Sequence, residues 1–219
     1  IPTLIQEQNS YPGITNKILA KKAKIICTAY DNLEKYFDVK KTVKTGNPVR
    51  QDIVTMSNES EKAYEYFKLQ PNKKTVSVIG GSLGAKTINE SILEIVENFV
   101  NQDVQLIWQT GEYYYNTIPD EIKQMKGIRI HAFIQRMDYL YQVSDVIVSR
   151  AGALSISELC IVAKPCILVP SPNVAEDHQT KNANVLVNAG AAVCVADKDT
   201  KDKLEGAIFE VLKDETKQK

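Results

Sequence analysis

From residue 75 onward, short β-branched runs alternate with longer stretches of helical spacing. The runs are TVSVIG (75–80), VQLIWQTG (104–111), IRIHAFI (128–134), DVIVS (145–149), PCILVP (165–170) and AAVCVA (191–196). Each is nearly continuous in apolar residues, the pattern of strands covered on both faces. Between the first two lies AKTINESILEIVENFV, where Ile88, Ile92, Ile95 and Phe99 recur at helical spacing. LSISELCIVA and HQTKNANVLVNAG fill two later gaps, the second closed by Gly190 as a C-terminal cap. This alternation implies right-handed crossovers and predicts an α/β fold, a parallel doubly wound sheet.

The opening of the chain reads differently. KIICTAY and KTVKTG predict two strands, with TNKILAKKA as a basic amphipathic helix before them. Together they fall well short of the ~100 residues typical of a domain. GNPVRQD follows, a turn in which the residue before Pro48 is forced extended. We place a boundary there: residues 1–48 as the tail of a preceding domain and 49–219 as a second domain. The chain opens IPTLIQEQNSYPG, with neither Met nor a charged leader, and reads as a fragment or a processed form. The closing KDETKQK reads as a frayed end.

Charge and composition narrow the function. The 27 Lys and Arg balance the 27 Asp and Glu, which argues against nucleic acid as a partner. A hydrophobic content of 43% argues against disorder. No stretch reaches the ~18 apolar residues of a membrane span; the longest candidate, 145–170, is broken by Arg150, Glu158 and Lys164. Four cysteines (Cys27, Cys160, Cys166, Cys194) form no C-x-x-C pair. Cys27, Cys160 and Cys194 sit in apolar runs and read as small buried hydrophobes in a reducing compartment. His131 and His178 are the only histidines and stand far apart, so neither a metal centre nor a cofactor is expected.

Three strand-to-helix loops could carry chemistry. In VIGGSLGAKTINES, Gly80 and Gly81 let the backbone approach a ligand, Ser82 offers a hydroxyl, and the following helix presents unpaired N–H groups. That is a phosphate-cradling design, although neither a Walker A loop nor G-x-G-x-x-G, and an ordinary glycine turn is the plain alternative. In VIVSRAGALSISEL, Ser155 and Glu158 have capping-box spacing; alternatively Glu158 faces the crevice and accepts both hydroxyls of a ribose. In VPSPNVAEDHQTKNANVL, Asp177, His178, Gln179 and Asn182 gather polar groups suited to a sugar, or Asp177 is an N-cap and the rest a solvated face. His178 as a general base lacks an orienting partner. Arg50, at the boundary, is either solvated or a pyrophosphate ligand. The three loops follow strands of one parallel sheet and so converge at its carboxyl edge. A phosphate cradle, a ribose acceptor and sugar-like amides together suggest a nucleotide-sugar.

These same residues carry a resemblance. GNPVR, GGSLGA, SRAGALSISEL and DHQTKNA resemble, in that order, the signatures of the MurG family. These bacterial transferases add GlcNAc from UDP-GlcNAc to undecaprenyl-pyrophosphoryl-MurNAc-pentapeptide (lipid I), completing lipid II. EQNSYPGITNKILAKKA also resembles the last stretch of the family's N-terminal domain. The resemblance implies a GT-B fold of two Rossmann-like domains, with the donor held mostly by the second. It places Ser82 and Arg50 at the diphosphate and Glu158 at the ribose hydroxyls. The Ile134 backbone would read the uracil edge with Met137 packing nearby, while Ala153, Leu154, Gln179 and Asn9 would surround the GlcNAc and its pyrophosphate. His178 stands where the family has the first of two glutamines, and Leu83 where many members have Gln. The family's N-terminal glycine-rich loop, its proposed catalytic base and its membrane patch would lie upstream of Ile1, and its C-terminal crossover helix is expected to be truncated. The resemblance implies a peripheral enzyme on the cytoplasmic face of the bacterial membrane, inverting the anomeric centre. The chain alone is expected to bind donor without turnover. Two alternatives stand beside it: another GT-B enzyme such as a UDP-GlcNAc 2-epimerase, and a non-catalytic UDP-sugar-binding subunit.

Overall fold

A computed structural model describes residues 1–81 and 83–214. Two parallel sheets organise it. The first contains β1 (Leu4–Glu7), β2 (Ile25–Thr28) and β3 (Thr42–Lys44), with α1 (Ile14–Leu19) crossing between the first two. After α2 (Gln51–Val54) and α3 (Ser60–Phe67), the second sheet begins with β4 (Thr75–Ile79). It continues through α4 (Lys86–Asn101), β5 (Gln105–Gln109), the short turns α5 (Glu112–Tyr115) and α6 (Asp120–Lys123), and β6 (Ile128–His131). Next come α7 (Met137–Val143), β7 (Val146–Ser149), α8 (Ala153–Val162) and β8 (Cys166–Leu168). The described chain closes with α9 (His178–Asn188), β9 (Val193–Cys194) and α10 (Thr200–Lys213).

All six expected strands form, and every neighbouring pair is parallel. Their order is β6-β5-β4-β7-β8-β9. The chain therefore winds outward from β4 to one edge, returns to β7 and winds to the other edge. The point of reversal, between β4 and β7, opens a crevice at the carboxyl ends of those strands. Ile79 lies opposite both Gln109 and Ser149, so the loops after β4, β5 and β7 leave the sheet at one level.

Continuous apolar strands are required because helices cover both faces. Val76, Val78, Leu106, Trp108 and Val148 point toward α4 and α10, meeting Ile88, Ile92, Leu204 and Ile208. Ile107 and Ile147 point the other way, toward Leu140, Tyr141, Ile156 and Ala183 of α7, α8 and α9. Ile53, Ala63 and Phe67 join this second layer, so the chain belongs to the larger body almost immediately after Pro48. The buried Trp108 indole N–H donates to the Asn89 side chain at 3.0 Å, and that amide donates on to the Thr110 carbonyl.

The first sheet has a smaller core, Ile26 against Ala20, Ala23, Leu33 and Phe37. Its helix α1 buries no residue completely and leaves Ile14 and Ile18 exposed, so the expected amphipathic packing is weak.

Gly190 behaves as expected: at φ +70° it lets its own N–H and that of Ala191 reach the Val187 and Leu186 carbonyls, closing α9. The cysteine reading needs correction. All four thiols are free, but only Cys27 and Cys166 are buried, whereas Cys160 and Cys194 are exposed. Cys160 follows the buried Leu159 onto the outer face of α8, and Cys194 ends the edge strand, places an apolar run alone cannot distinguish. Among the described residues no helix is long and apolar enough to cross a membrane. Of the expected frayed end, residues 215–219 lie outside the described residues.

Candidate functional site

The loop after β4 is shaped by close backbone contact with the loop after β5. Gly84 has φ +79°, and a Cβ there would stand 2.4 Å from the Thr110 carbonyl and 2.5 Å from the Tyr114 ring. Gly111, at φ +82°, faces it so closely that a Cβ would stand 2.3 Å from the Gly84 nitrogen. Glycine is therefore required on both sides. Ala85 offers α4 no side-chain cap, and no acidic residue lies in its first turn. The helix end keeps its positive character, as an anion site needs. Ser82, the expected diphosphate contact, lies outside the described residues; Leu83 beside it is exposed.

The loop after β7 overturns the capping-box reading. Gly152, extended at φ −66° and ψ 149°, occupies the N-cap position, and α8 begins at Ala153 without a side-chain cap. Ser155 is thus already inside the helix, and Glu158 is free of any capping duty. Its Oε2 instead accepts a 2.7 Å hydrogen bond from the Tyr141 hydroxyl on α7. Burial, then the Glu158 charge and hydrogen bond, pushes the Tyr141 phenol well above its ordinary range, while the nearby Arg50 opposes this. Tyr141 therefore remains a donor. Arg50 itself is exposed, 3.4 Å from Asp52.

Arg150 ties the loops together from behind. Its guanidinium donates to the Val169 and Pro170 carbonyls after β8, to Thr87 at the start of α4, and to Asp197. In the sequence Arg150 shows only as a break in an apolar run and as a member of SRAGALSISEL.

The third cluster meets the first sheet at a seam. Glu7 is buried and accepts from the Asn9 backbone and side chain, Gly13 N–H and the Asn16 amide, which shapes the loop between them. Asn182, read as a sugar ligand, is fully buried: its oxygen accepts from the Ser10 N–H and hydroxyl, and its nitrogen donates to the Asn9 side chain, each at 3.0 Å. It is a seam residue, reached from 172 positions away. Asn9 is thereby fixed beside α9. Asn47 donates to the Gln8 carbonyl and Ser157 hydroxyl at 3.0 Å and to the Ala153 carbonyl at 3.4 Å. Gln179 accepts from Ser171 N–H at 2.8 Å, which orients its amide. Asp177 makes no side-chain cap, and it and Glu176 both have positive φ near +53°. His178 still lacks an orienting hydrogen bond, since its Nε2 is 3.7 Å from Glu176.

On the far side, the buried Ile134 donates its N–H to the Gln109 side chain at 2.9 Å, so that half of its backbone edge is already occupied. Met137 opens α7 and packs on the second core layer. Ala153 and the exposed Leu154 form the first turn of α8. The structure thus brings Asn9, Asn47, Ala153 and α9 together at the seam, and Arg50, Tyr141 and Glu158 together beside it. Among the described residues no group of three His, Cys, Asp or Glu is arranged to hold a metal ion.

Residues 75–219 match the glycosyltransferase family 28 C-terminal domain, about two thirds of the chain. The chain belongs to glycosyltransferase family 28. A family 28 relative from Parabacteroides distasonis, named UDP-N-acetylglucosamine–N-acetylmuramyl-(pentapeptide) pyrophosphoryl-undecaprenol N-acetylglucosamine transferase, is 54% identical over 98% of this chain. One of the same name from Flavobacterium psychrophilum is 48% identical over all of it. The family 28 chain described here spans 59% of the length of each. Acinetobacter baumannii MurG superposes on the whole chain and 60% of its own, with a TM-score of 0.72 and 26% identity. UDP-GlcNAc 2-epimerase from Neisseria meningitidis, solved with UDP-GlcNAc, covers 95% of this chain and 60% of its own at a TM-score of 0.60 and 15% identity, a likeness of fold alone. The architecture is that of GT-B glycosyltransferases, as expected.

Proposed function

We propose that this chain is the donor-binding part of an inverting N-acetylglucosaminyltransferase. The parent transfers GlcNAc from UDP-GlcNAc to undecaprenyl-pyrophosphoryl-MurNAc-pentapeptide, lipid I, giving lipid II for peptidoglycan. Residues 49–219 hold the donor and residues 1–48 belong to the preceding acceptor domain. The observation that carries this reading is the pairing of two features at the sheet's point of reversal. One is the glycine loop leading to the uncapped α4 terminus; the other is Glu158, held by Tyr141 rather than by its own helix.

The diphosphate lies at the α4 terminus, contacted by the Ser82 hydroxyl and by Arg50, and the positive helix end and the Arg50 guanidinium offset the charge that grows on UDP as it leaves. No metal is needed for that role. Glu158 accepts from the ribose, the Ile134 carbonyl and Met137 receive the uracil, and Asn9, Ala153, Leu154 and Gln179 surround the GlcNAc. The acceptor hydroxyl attacks the anomeric carbon directly from the opposite side as UDP departs. The base for that attack and the lipid contacts belong to the portion of the relatives this chain does not span, working at the cytoplasmic face of the bacterial membrane.

Calorimetric titration tests the reading. UDP-GlcNAc is expected to bind in preference to UDP-GalNAc, and Glu158→Ala to weaken it by about 1–3 kcal/mol. A folded chain that binds neither sugar nucleotide would refute donor binding by this part.

A further inference from the structure

We propose that Tyr141 is a positioning residue for nucleotide recognition, holding one oxygen of Glu158 so that the other is presented to the ribose hydroxyls. The inference rests on the reading of Glu158 as the ribose acceptor.

The two residues come from different helices, 17 positions apart, and meet at 2.7 Å. Tyr141 is 2% exposed and packed within the core layer that contains Leu140 and Ile156, so its hydroxyl has a fixed place. Glu158 is partly exposed on α8 and carries three rotatable bonds, a side chain that would otherwise sample several rotamers. A phenol has a single proton to donate, and here it goes to Oε2. The carboxylate plane is thereby restrained from below while Oε1 keeps both lone-pair sites. Ordering the acceptor before the ligand arrives removes part of the entropic cost of binding.

The test compares UDP with 2′,3′-dideoxy-UDP, which lacks both ribose hydroxyls, on the chain as it stands. Tyr141→Phe keeps the buried ring and is checked for an intact fold by circular dichroism and thermal melting. It is expected to weaken UDP binding about tenfold, the scale of one hydrogen bond to a charged group, and to leave dideoxy-UDP within about twofold. Glu158→Ala should remove the preference for UDP, and the double variant should be no worse than Glu158→Ala alone. Equal losses for both ligands would mean a merely structural tyrosine. An unchanged UDP preference in Tyr141→Phe, with that preference lost in Glu158→Ala, would sink this inference alone. A wild-type chain indifferent to the ribose hydroxyls would remove the reading of Glu158 and this inference with it.

Discussion

The two sheets are built from the same kind of strand and differ in how far this chain covers them. In the larger sheet β4 and β5 are buried along almost their whole length, because helices cover both faces. In the smaller sheet one face packs on Ile26 and its neighbours, while Leu4, Ile25 and Val43 on the other are 59%, 39% and 50% exposed. The larger sheet draws its stability from buried apolar area. The smaller one has its own apolar core and is tied to the larger by polar bonds across the seam, from Asn9, Ser10 and Asn47. A loss of apolar volume should therefore damage the larger sheet, and a loss of one amide the seam.

The largest expected effect is in the large core. Trp108→Ala removes a fully buried indole and leaves Asn89 without its donor, at a cost of about 4 kcal/mol in urea denaturation; a change below about 1 kcal/mol would contradict the packing described. Gly84→Ala forces a side chain into a left-handed position already filled by Thr110 and Tyr114. It should cost about 3 kcal/mol and abolish UDP-GlcNAc binding, since the phosphate loop must shift.

Asn182→Ala attacks the seam, losing three hydrogen bonds for about 2 kcal/mol. Hydrogen exchange should then accelerate in β2 while β4 and β5 keep their protection; uniform acceleration would mean that the two sheets open as one unit. The smallest effect concerns pH. Burial, and secondarily the charge of Arg129, lowers the His131 pKa, so the folded chain takes up this proton less readily than the unfolded one. The contribution is fully present above about pH 6.5 and is lost as pH falls through the folded value. His131→Leu should flatten that part of the stability profile, and an unaltered profile would assign the acid sensitivity to other groups.

The six strands of the larger sheet, α4, α8, α9 and the glycine loop after β4 were legible in the sequence because their signals are local: apolar runs, helical spacing and turn residues; β1 and α10 were not read. Glu158 was legible in part. Its spacing from Ser155 fits a capping box, but Gly152 starts the helix earlier, and no spacing rule reveals where a helix with a glycine N-cap begins. Asn182 was noticed for its amide, as a group suited to a sugar or as part of a solvated face, and its buried contacts come from the other end of the chain. Tyr141, Asn47 and Arg150 gave no local signal of the contacts they make. Each acts through partners that only the folded crossovers bring near: Glu158 for Tyr141, Ser157 for Asn47, and Asp197 for Arg150. Cys160 shows the same limit from the other side, an apolar neighbourhood in sequence that is one helix face too far round.

Asn47 sits on the segment that joins the sheets, followed by the stiff Pro48. Its amide grips Gln8 on one side and Ser157 with Ala153 on the other. A joint made this way has little slack. One side chain thus fixes the loop after β1 and the first turn of α8 at a common distance from the joining segment, so the two sheets share an anchor one residue before the proline.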